Sequence, residues 1–370
     1  MKKILIFIFI GFLLIGSKPF WEDSVQPIDS SPSALMSTID SLKDRSDVPV
    51  AIRTLIEQLY SLLPSSSSTP PEPEQEVETP ELHPPEEQLF SVHHIELGNT
   101  RAEVEQNLGE PERRTLNEYG VHWEAYHDNY QNFVMVAFDD EDIVRGLYTN
   151  QDLISSSTDI ELETPKSLVR EELGTPESAI RKVLVQYTLN DNDEYDLFQV
   201  DSMYVTLFYD KHEDNTVTAI QIIDKPLEQN KKELYAPASE QLKEGLEYQL
   251  FDITNAARVE HNLSPLTWAD HAKETARSHS KDMAENHYFD HINLEGQSPF
   301  DRMAEDNIRF LSAGENLAYA QFSSIYAHEG LMNSAGHRKN ILGNTFTHLG
   351  VGVAFNEESH PYYTELFFTK

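Results

Sequence analysis

Ala313-Gly314-Glu315-Asn316-Leu317-Ala318 and, further on, Met332-Asn333-Ser334-Ala335-Gly336-His337-Arg338-Lys339-Asn340-Ile341-Leu342 are the stretches whose reading decides the fold. In each, an ionisable side chain directly follows a glycine, the residue with the least restricted backbone. Glu315 therefore reads as part of an irregular segment, and both Glu315 and His337 can reach a cleft without being buried inside a helix. Upstream, Leu242, Leu246, Leu250, Ile253 and Ala257 recur at helical spacing and predict one long amphipathic helix that stops before Ser264-Pro265. A second helix opens at the capping-box pattern Thr267-Trp268-Ala269-Asp270 and carries Ala272, Ala276, His279 and Met283 on its apolar stripe. A third begins at Ser298-Pro299-Phe300-Asp301. Downstream, Leu349, Val351, Val353 and Phe355 alternate with Gly350, Gly352 and Ala354, which is a strand with one small face that another layer can approach closely. Tyr362 to Phe368 is its partner strand. The class is α+β.

Taken in order, Asn255-Ala256-Ala257-Arg258, Leu263-Ser264-Pro265-Leu266-Thr267-Trp268, His279-Ser280-Lys281-Asp282-Met283, His291, the Gly314-Glu315-Asn316 stretch, the Asn333-to-Leu342 stretch and His348-Leu349-Gly350-Val351-Gly352 form a series of landmarks. This series resembles the CAP family (cysteine-rich secretory protein, antigen 5, pathogenesis-related 1; SCP-like domain) over about residues 236–370. The resemblance implies a C-terminal α-β-α sandwich, the CAP fold, and a cleft lined by His291, Glu315, Glu329 and His337. Leu331 stands where many members have tryptophan, and the cysteines of animal and plant members are absent.

Those residue types make chemical sense together. Two neutral imidazoles, His291 and His337, can hold a divalent metal such as zinc, while carboxylates fix ring tautomers or work as acid and base. Glu329 is placed by periodicity alone, near the inward face of its helix, and a solvated helix acid is the competing reading. His279 reads as a core histidine, and the helix ends near His287, which argues against a His287–His291 chelate. His328-Glu329 begins an H-E-x-x-H pattern, but Met332 occupies the place of the second histidine and excludes that metalloprotease chemistry. No G-x-S-x-G elbow supports a serine triad. The expectation is a non-catalytic binding module, with a metal-dependent hydrolase of peptide or cell-wall material as the alternative.

Residues 89–232 divide into two similar stretches, about 89–152 and 153–232. Ile95-Glu96-Leu97 falls on Ile160-Glu161-Leu162 at an offset of 65 residues, and Leu108-Gly109-Glu110-Pro111 on Leu173-Gly174-Thr175-Pro176. Each reads as a helix from near Thr100 or Thr164 to a Leu-Gly stop, then antiparallel strands. The predicted strands are Asn132 to Phe138, Val144 to Tyr148, Ser202 to Tyr209 and Thr216 to Ile223. This tandem repeat of helix-plus-antiparallel-sheet modules resembles the CAP-associated region that precedes the CAP domain in a group of bacterial proteins. The cluster Asp191 to Asp196 fails the EF-hand pattern and reads as a solvated loop.

The chain has 370 residues and a formal charge of −35, of which residues 236–370 carry only −9, from 19 Asp and Glu against 10 Lys and Arg. Such a balance excludes nucleic acid as a partner, since phosphate binding needs clustered Lys and Arg. With no cysteine, disulfides and thiolate chemistry are excluded. Residues 1–20, two lysines and then an apolar run from Ile4 to Ile15, read as a signal peptide or N-terminal membrane anchor. Residues 21–88 read as a Pro/Ser/Glu-rich spacer with short helices between Leu35 and Leu63. The protein is therefore expected outside the cell, secreted or tethered to the membrane. Its expected partner is an extracellular protein, a cell-wall component or a small ligand. The segment from Ser239 is expected to close its own apolar faces and fold alone.

Overall fold

The computed structural model describes residues 77, 79–182, 185–189 and 193–370. The N-terminal apolar run, the helices expected between Leu35 and Leu63, most of the spacer, and Asp191 and Asn192 lie outside the described residues. The end of the spacer, residues 79–88, carries no helix and lies along the first folded half, with the Glu86 and Gln88 amides donating to the Glu96 carboxylate.

The first half runs β1 (Phe90–Val92), α1 (Arg101–Leu108), β2 (Arg113–Leu116), β3 (His122–Asp128), β4 (Gln131–Phe138), β5 (Val144–Thr149) and β6 (Ile154–Ser156). The second runs α2 (Lys166–Leu173), β7 (Ala179–Lys182), β8 (Val185–Thr188), β9 (Tyr195–Val200), β10 (Met203–Asp210), β11 (Thr216–Asp224) and α3 (Lys225–Asn230). Thr100 caps α1 through a capping box with Glu103, and α1 and α2 both end at glycines in the left-handed region, Gly109 (φ 78°) and Gly174 (φ 82°). Both halves thus place antiparallel strands after a glycine-stopped helix, and the second adds the separate β7–β8 pair. Seven strands form one antiparallel sheet in the order β2-β3-β4-β5-β11-β10-β9, so that β5 and β11 meet at its middle, with Gly146 opposite Ile223. One face packs on Val104 of α1 and Val169 of α2.

The C-terminal part runs α4 (Glu240–Glu260), β12 (Thr267–Trp268), α5 (Asp270–Asn286), α6 (Pro299–Glu305), β13 (Ser312–Tyr319), α7 (Ser324–Met332), α8 (Ala335–Ile341), β14 (His348–Phe355) and β15 (Pro361–Thr369). Its sheet has the order β12-β14-β15-β13. Leu349, Val351 and Val353 pack on Leu242, Leu246 and Leu250 of α4. On the small face, a Cβ added to Gly350 would lie 2.4 Å from the Lys273 backbone nitrogen, and one on Gly352 would lie 2.0 Å from that of Arg277. The α5 backbone therefore rests directly on the sheet, and the two contacts make the expected sandwich.

Three local expectations are corrected. Thr267 does not cap α5; its amide donates to Thr347 and that of Ala269 to Leu349, so pairing with β14 wins and the helix starts at Asp270. Gly314 and Glu315 are not irregular but lie in β13, opposite Phe367 and Leu366 of β15. His337 lies within the short helix α8.

The second face of the seven-stranded sheet is covered by the C-terminal part itself. Trp123, Phe133, Met135, Tyr148 and Phe208 share one apolar cluster with Ile253 and Ala256 of α4 and Ile325 and Tyr326 of α7. Helix α4 consequently has a sheet on either side, and polar residues along it face the first sheet: Asp252 accepts from Arg113 (2.8 Å) and Tyr130 (3.2 Å), and Gln249 donates to Thr115 and to the Leu116 carbonyl. The described residues belong to one compact unit. Among the described residues, no helix is long and apolar enough to cross a membrane.

Candidate ligand cleft

The cleft is assembled from three places in the chain. Strand β13 fixes Glu315, whose side chain is only 1% exposed. The loop after α5 brings His291 to it, with Nδ1 and Oε1 2.8 Å apart. Because a carboxylate only accepts, Nδ1 carries the proton and Nε2 takes no part in this pair. The His291 pKa is raised by that bond and by the Glu315 charge against the opposing effect of burial. The other carboxylate oxygen of Glu315 is held by Arg302, at 2.5 Å.

Arg302 escaped the sequence reading. It sits on α6, whose start is fixed by the Ser298–Asp301 capping box, and it also donates to the carbonyls of His291 (2.9 Å) and Gln297 (3.1 Å). One guanidinium thus ties the His291 loop to β13. A lone arginine in a short helix carries no sequence signal of such a role; its place one residue beyond Asp301, the end of the capping box, is the nearest thing to one.

His337 enters from α8. Asn316 Nδ2 donates to the His337 carbonyl (3.2 Å), and Asn340 Nδ2 donates to the Glu315 carbonyl (3.1 Å) and to Asn316 Oδ1 (2.9 Å), so α8 is pinned to β13. Gly314 permits that approach, since a Cβ there would lie 2.8 Å from Asn340 Oδ1. Burial lowers the His337 pKa, and the charge of nearby His291 lowers it further. The two imidazoles are therefore driven apart in basicity, His291 upward and His337 downward.

Glu329 is elsewhere. It is buried and accepts a hydrogen bond from Tyr148 (2.8 Å), among Thr218, Asp210 and Arg338, and it lines a cavity beside the seven-stranded sheet. The periodicity correctly turned it inward, but the inward face of α7 meets that sheet and not the histidine pair. His279 is the expected core histidine, buried with Nε2 on the Asp290 carbonyl (3.0 Å). His287 ends α5 in a left-handed conformation (φ 54°), so it makes no helical i, i+4 pair with His291.

As a zinc site the cleft is short of ligands. Both oxygens of Glu315 are engaged by His291 and Arg302, which leaves two imidazoles where zinc takes three or four protein ligands. Among the described residues, no group of three or more His, Cys, Asp or Glu side chains is placed to hold a metal ion.

A helix-sheet-helix sandwich whose edge strand carries a glutamate that holds a loop histidine, with a helix pinned behind it, defines a CAP domain, and the chain belongs to the cysteine-rich secretory protein (CAP) family. The family profile matches residues 251–367, and that of the CAP-associated N-terminal region matches residues 97–234. The chain is 30% identical over 329 residues to the uncharacterized membrane protein YlbC of Bacillus subtilis (strain 168), covering 83% of this chain and 92% of that protein. It is 40% identical over 124 residues to the uncharacterized protein YkwD of the same organism, 34% of this chain and 47% of that one. Among solved structures, an extracellular protein containing a SCP domain from Bacillus anthracis is similar with a TM-score of 0.63 and 27% identity, covering 74% of this chain and 94% of that one. A cysteine-rich secretory protein from Staphylococcus aureus shares the fold at a TM-score of 0.59 and 16% identity, covering 74% and 91%.

Proposed function

We propose that this is an extracellular CAP-domain module that binds a small ligand or a cell-wall component at the His291–Glu315–His337 cleft by hydrogen bonding, without catalysing a reaction. The observation that carries the reading is the use of Glu315: its two oxygens hold His291 and Arg302, so its role is to orient an imidazole rather than to activate water or ligate metal. His291 is 48% exposed on its side chain, and Phe289, Ile292 and Leu294 beside it are exposed as well. Such a surface suits a ligand with both polar and apolar parts. The extracellular placement is supported by the kinship with a solved extracellular protein and by the N-terminal apolar run.

One observation favours the second reading, a hydrolase of peptide or wall material. Two titratable groups driven apart in basicity, as His291 and His337 are, can serve as acid and base. Co-sedimentation with purified wall sacculi, and digestion assays on peptide and peptidoglycan with and without chelator, separate the two. Saturable binding weakened by His337→Ala with no turnover is expected. Turnover abolished by His337→Ala overturns the binding reading, and tight one-to-one zinc binding in calorimetry, lost in that variant, overturns the metal-free one.

A further inference from the structure

The cavity that contains Glu329 lies between the seven-stranded sheet and the CAP sandwich, away from His291, and has a volume of about 340 Å³. That is within the range of small-molecule sites, roughly 300–1,000 Å³. Its charge is one-sided. Glu163, Asp210, Glu213, Glu260 and Glu329 line it against a single arginine, Arg338, which is already paired with Asp210 (2.6 Å) and Glu213 (3.3 Å). Desolvation pushes the Glu260 and Glu329 carboxyls up to about 7, so a cation brought beside them favours their ionised form. No lysine and no unpaired arginine lines the cavity to receive an anion.

The hydrogen-bonding inventory points the same way. Asn150 lines the cavity and is 6% exposed; its amide donates to the Ile253 carbonyl (3.2 Å), which fixes the orientation of the group. Its Oδ1 is buried with no partner. A buried acceptor left without a donor costs about 1–3 kcal/mol, so a ligand that brings an N–H there gains what the empty site lacks. Leu162, Val217, Ala257 and Met332 supply apolar wall for a short carbon chain. The positive charge is organic rather than metallic, because among the described residues no three acidic or imidazole groups are placed to hold an ion.

We propose that this cavity binds an alkylammonium group, a short aliphatic chain ending in a primary amine, carried either by a free small amine or by the lysine side chain of a peptide. Asn150 Oδ1 and the Glu329 carboxylate receive the ammonium at the floor, and the exposed acids Glu163, Glu213 and Glu260 form the rim. The site is built from both domains and is independent of the reading of the histidine cleft.

Calorimetric titration at physiological salt tests it with three probes: cadaverine, an acetylated and amidated lysyl tripeptide, and 1,5-pentanediol as the uncharged analogue. One-to-one binding of cadaverine alone assigns the site to free amines, of the tripeptide alone to a lysine side chain, and of both to the ammonium group as such. Glu329→Gln keeps an acceptor for Tyr148 while removing the charge, and it is expected to weaken binding about tenfold or more. Should that variant not fold, Glu260→Gln at the exposed rim is expected to weaken binding several-fold. Absence of saturable binding by either amine, equal binding of the diol, or unchanged affinity in the folded variants overturns the proposal.

Discussion

Glu315 has two oxygens and two partners, and the state of His291 depends on that arithmetic. The bond from Nδ1 raises the His291 pKa while burial lowers it, so Glu315→Gln, which removes the charge and weakens the bond, leaves burial and the Arg302 charge opposed mainly by the smaller effect of Asp290. The His291 imidazole resonances, followed by NMR, are expected to titrate at lower pH in the variant than in wild type; an unchanged midpoint would contradict the pairing. The linkage has a definite sign. A histidine whose folded pKa is raised adds stability that is complete below its unfolded value of about 6.5 and is lost as pH climbs through the folded value. Wild type should therefore lose more melting temperature than Glu315→Gln between pH 6 and pH 8. At this scale the sequence was partly legible. His291, Glu315 and His337 sit in motifs with an order, whereas Arg302 acts through three acceptors that only the fold brings together, and Glu329 faces a layer that its own periodicity cannot name.

At the scale of elements, the contact between α5 and β14 is the most demanding. Helix backbone lies on strand backbone at Gly350 and Gly352, with no room for a methyl group. Gly350→Ala is expected to destabilise the protein by about 1–3 kcal/mol or more, because neither backbone can yield without disturbing its own hydrogen bonds. Gly336→Ala is the control: a Cβ there meets nothing within 4 Å, and its helical position favours alanine by roughly 0.5–1 kcal/mol. Thermal melts of the two variants should shift in opposite directions, and equal shifts would discredit the packing argument. Strands with alternating character, such as β10, β11 and β14, were readable from their pattern within a residue or two. Strand β3 was not, because His122-Trp123-Glu124-Ala125-Tyr126 buries polar and apolar side chains alike: Trp123 packs toward α4, and Glu124 is buried on Arg101 and Arg114. The Thr267 box was misread because a local cap competes with a long-range ladder, and the ladder is invisible to local pattern.

Over the whole molecule, the expectation that the C-terminal segment closes its own apolar faces meets a shared core. Residues 236–370 alone would expose Ile253, Ala256, Ile325 and Tyr326 and would strip Asp252 of Arg113 and Tyr130. Burial already pushes the Asp252 pKa up to about 6, so losing a cation there is costly only while the site stays dry. The isolated segment is expected to melt well below residues 79–370, which should unfold in one transition; identical melting temperatures would show that the shared core contributes nothing. The buried polar residues Gln249 and Asp252 of α4 were the hidden clue, since their partners Thr115, Leu116, Arg113 and Tyr130 all lie in the first folded part.

The position of α4 bears also on what it means for this chain to be continuous. A helix screened by a sheet on each side has amides that water reaches only when both layers open, so the slowest-exchanging hydrogens should belong to the junction and not to either domain's private core. The peptide between Lys231 and Ser239 then joins parts that already hold one another. A cut there would leave two polypeptides behaving as one particle, and dissociation, where it occurs, would be an unfolding event.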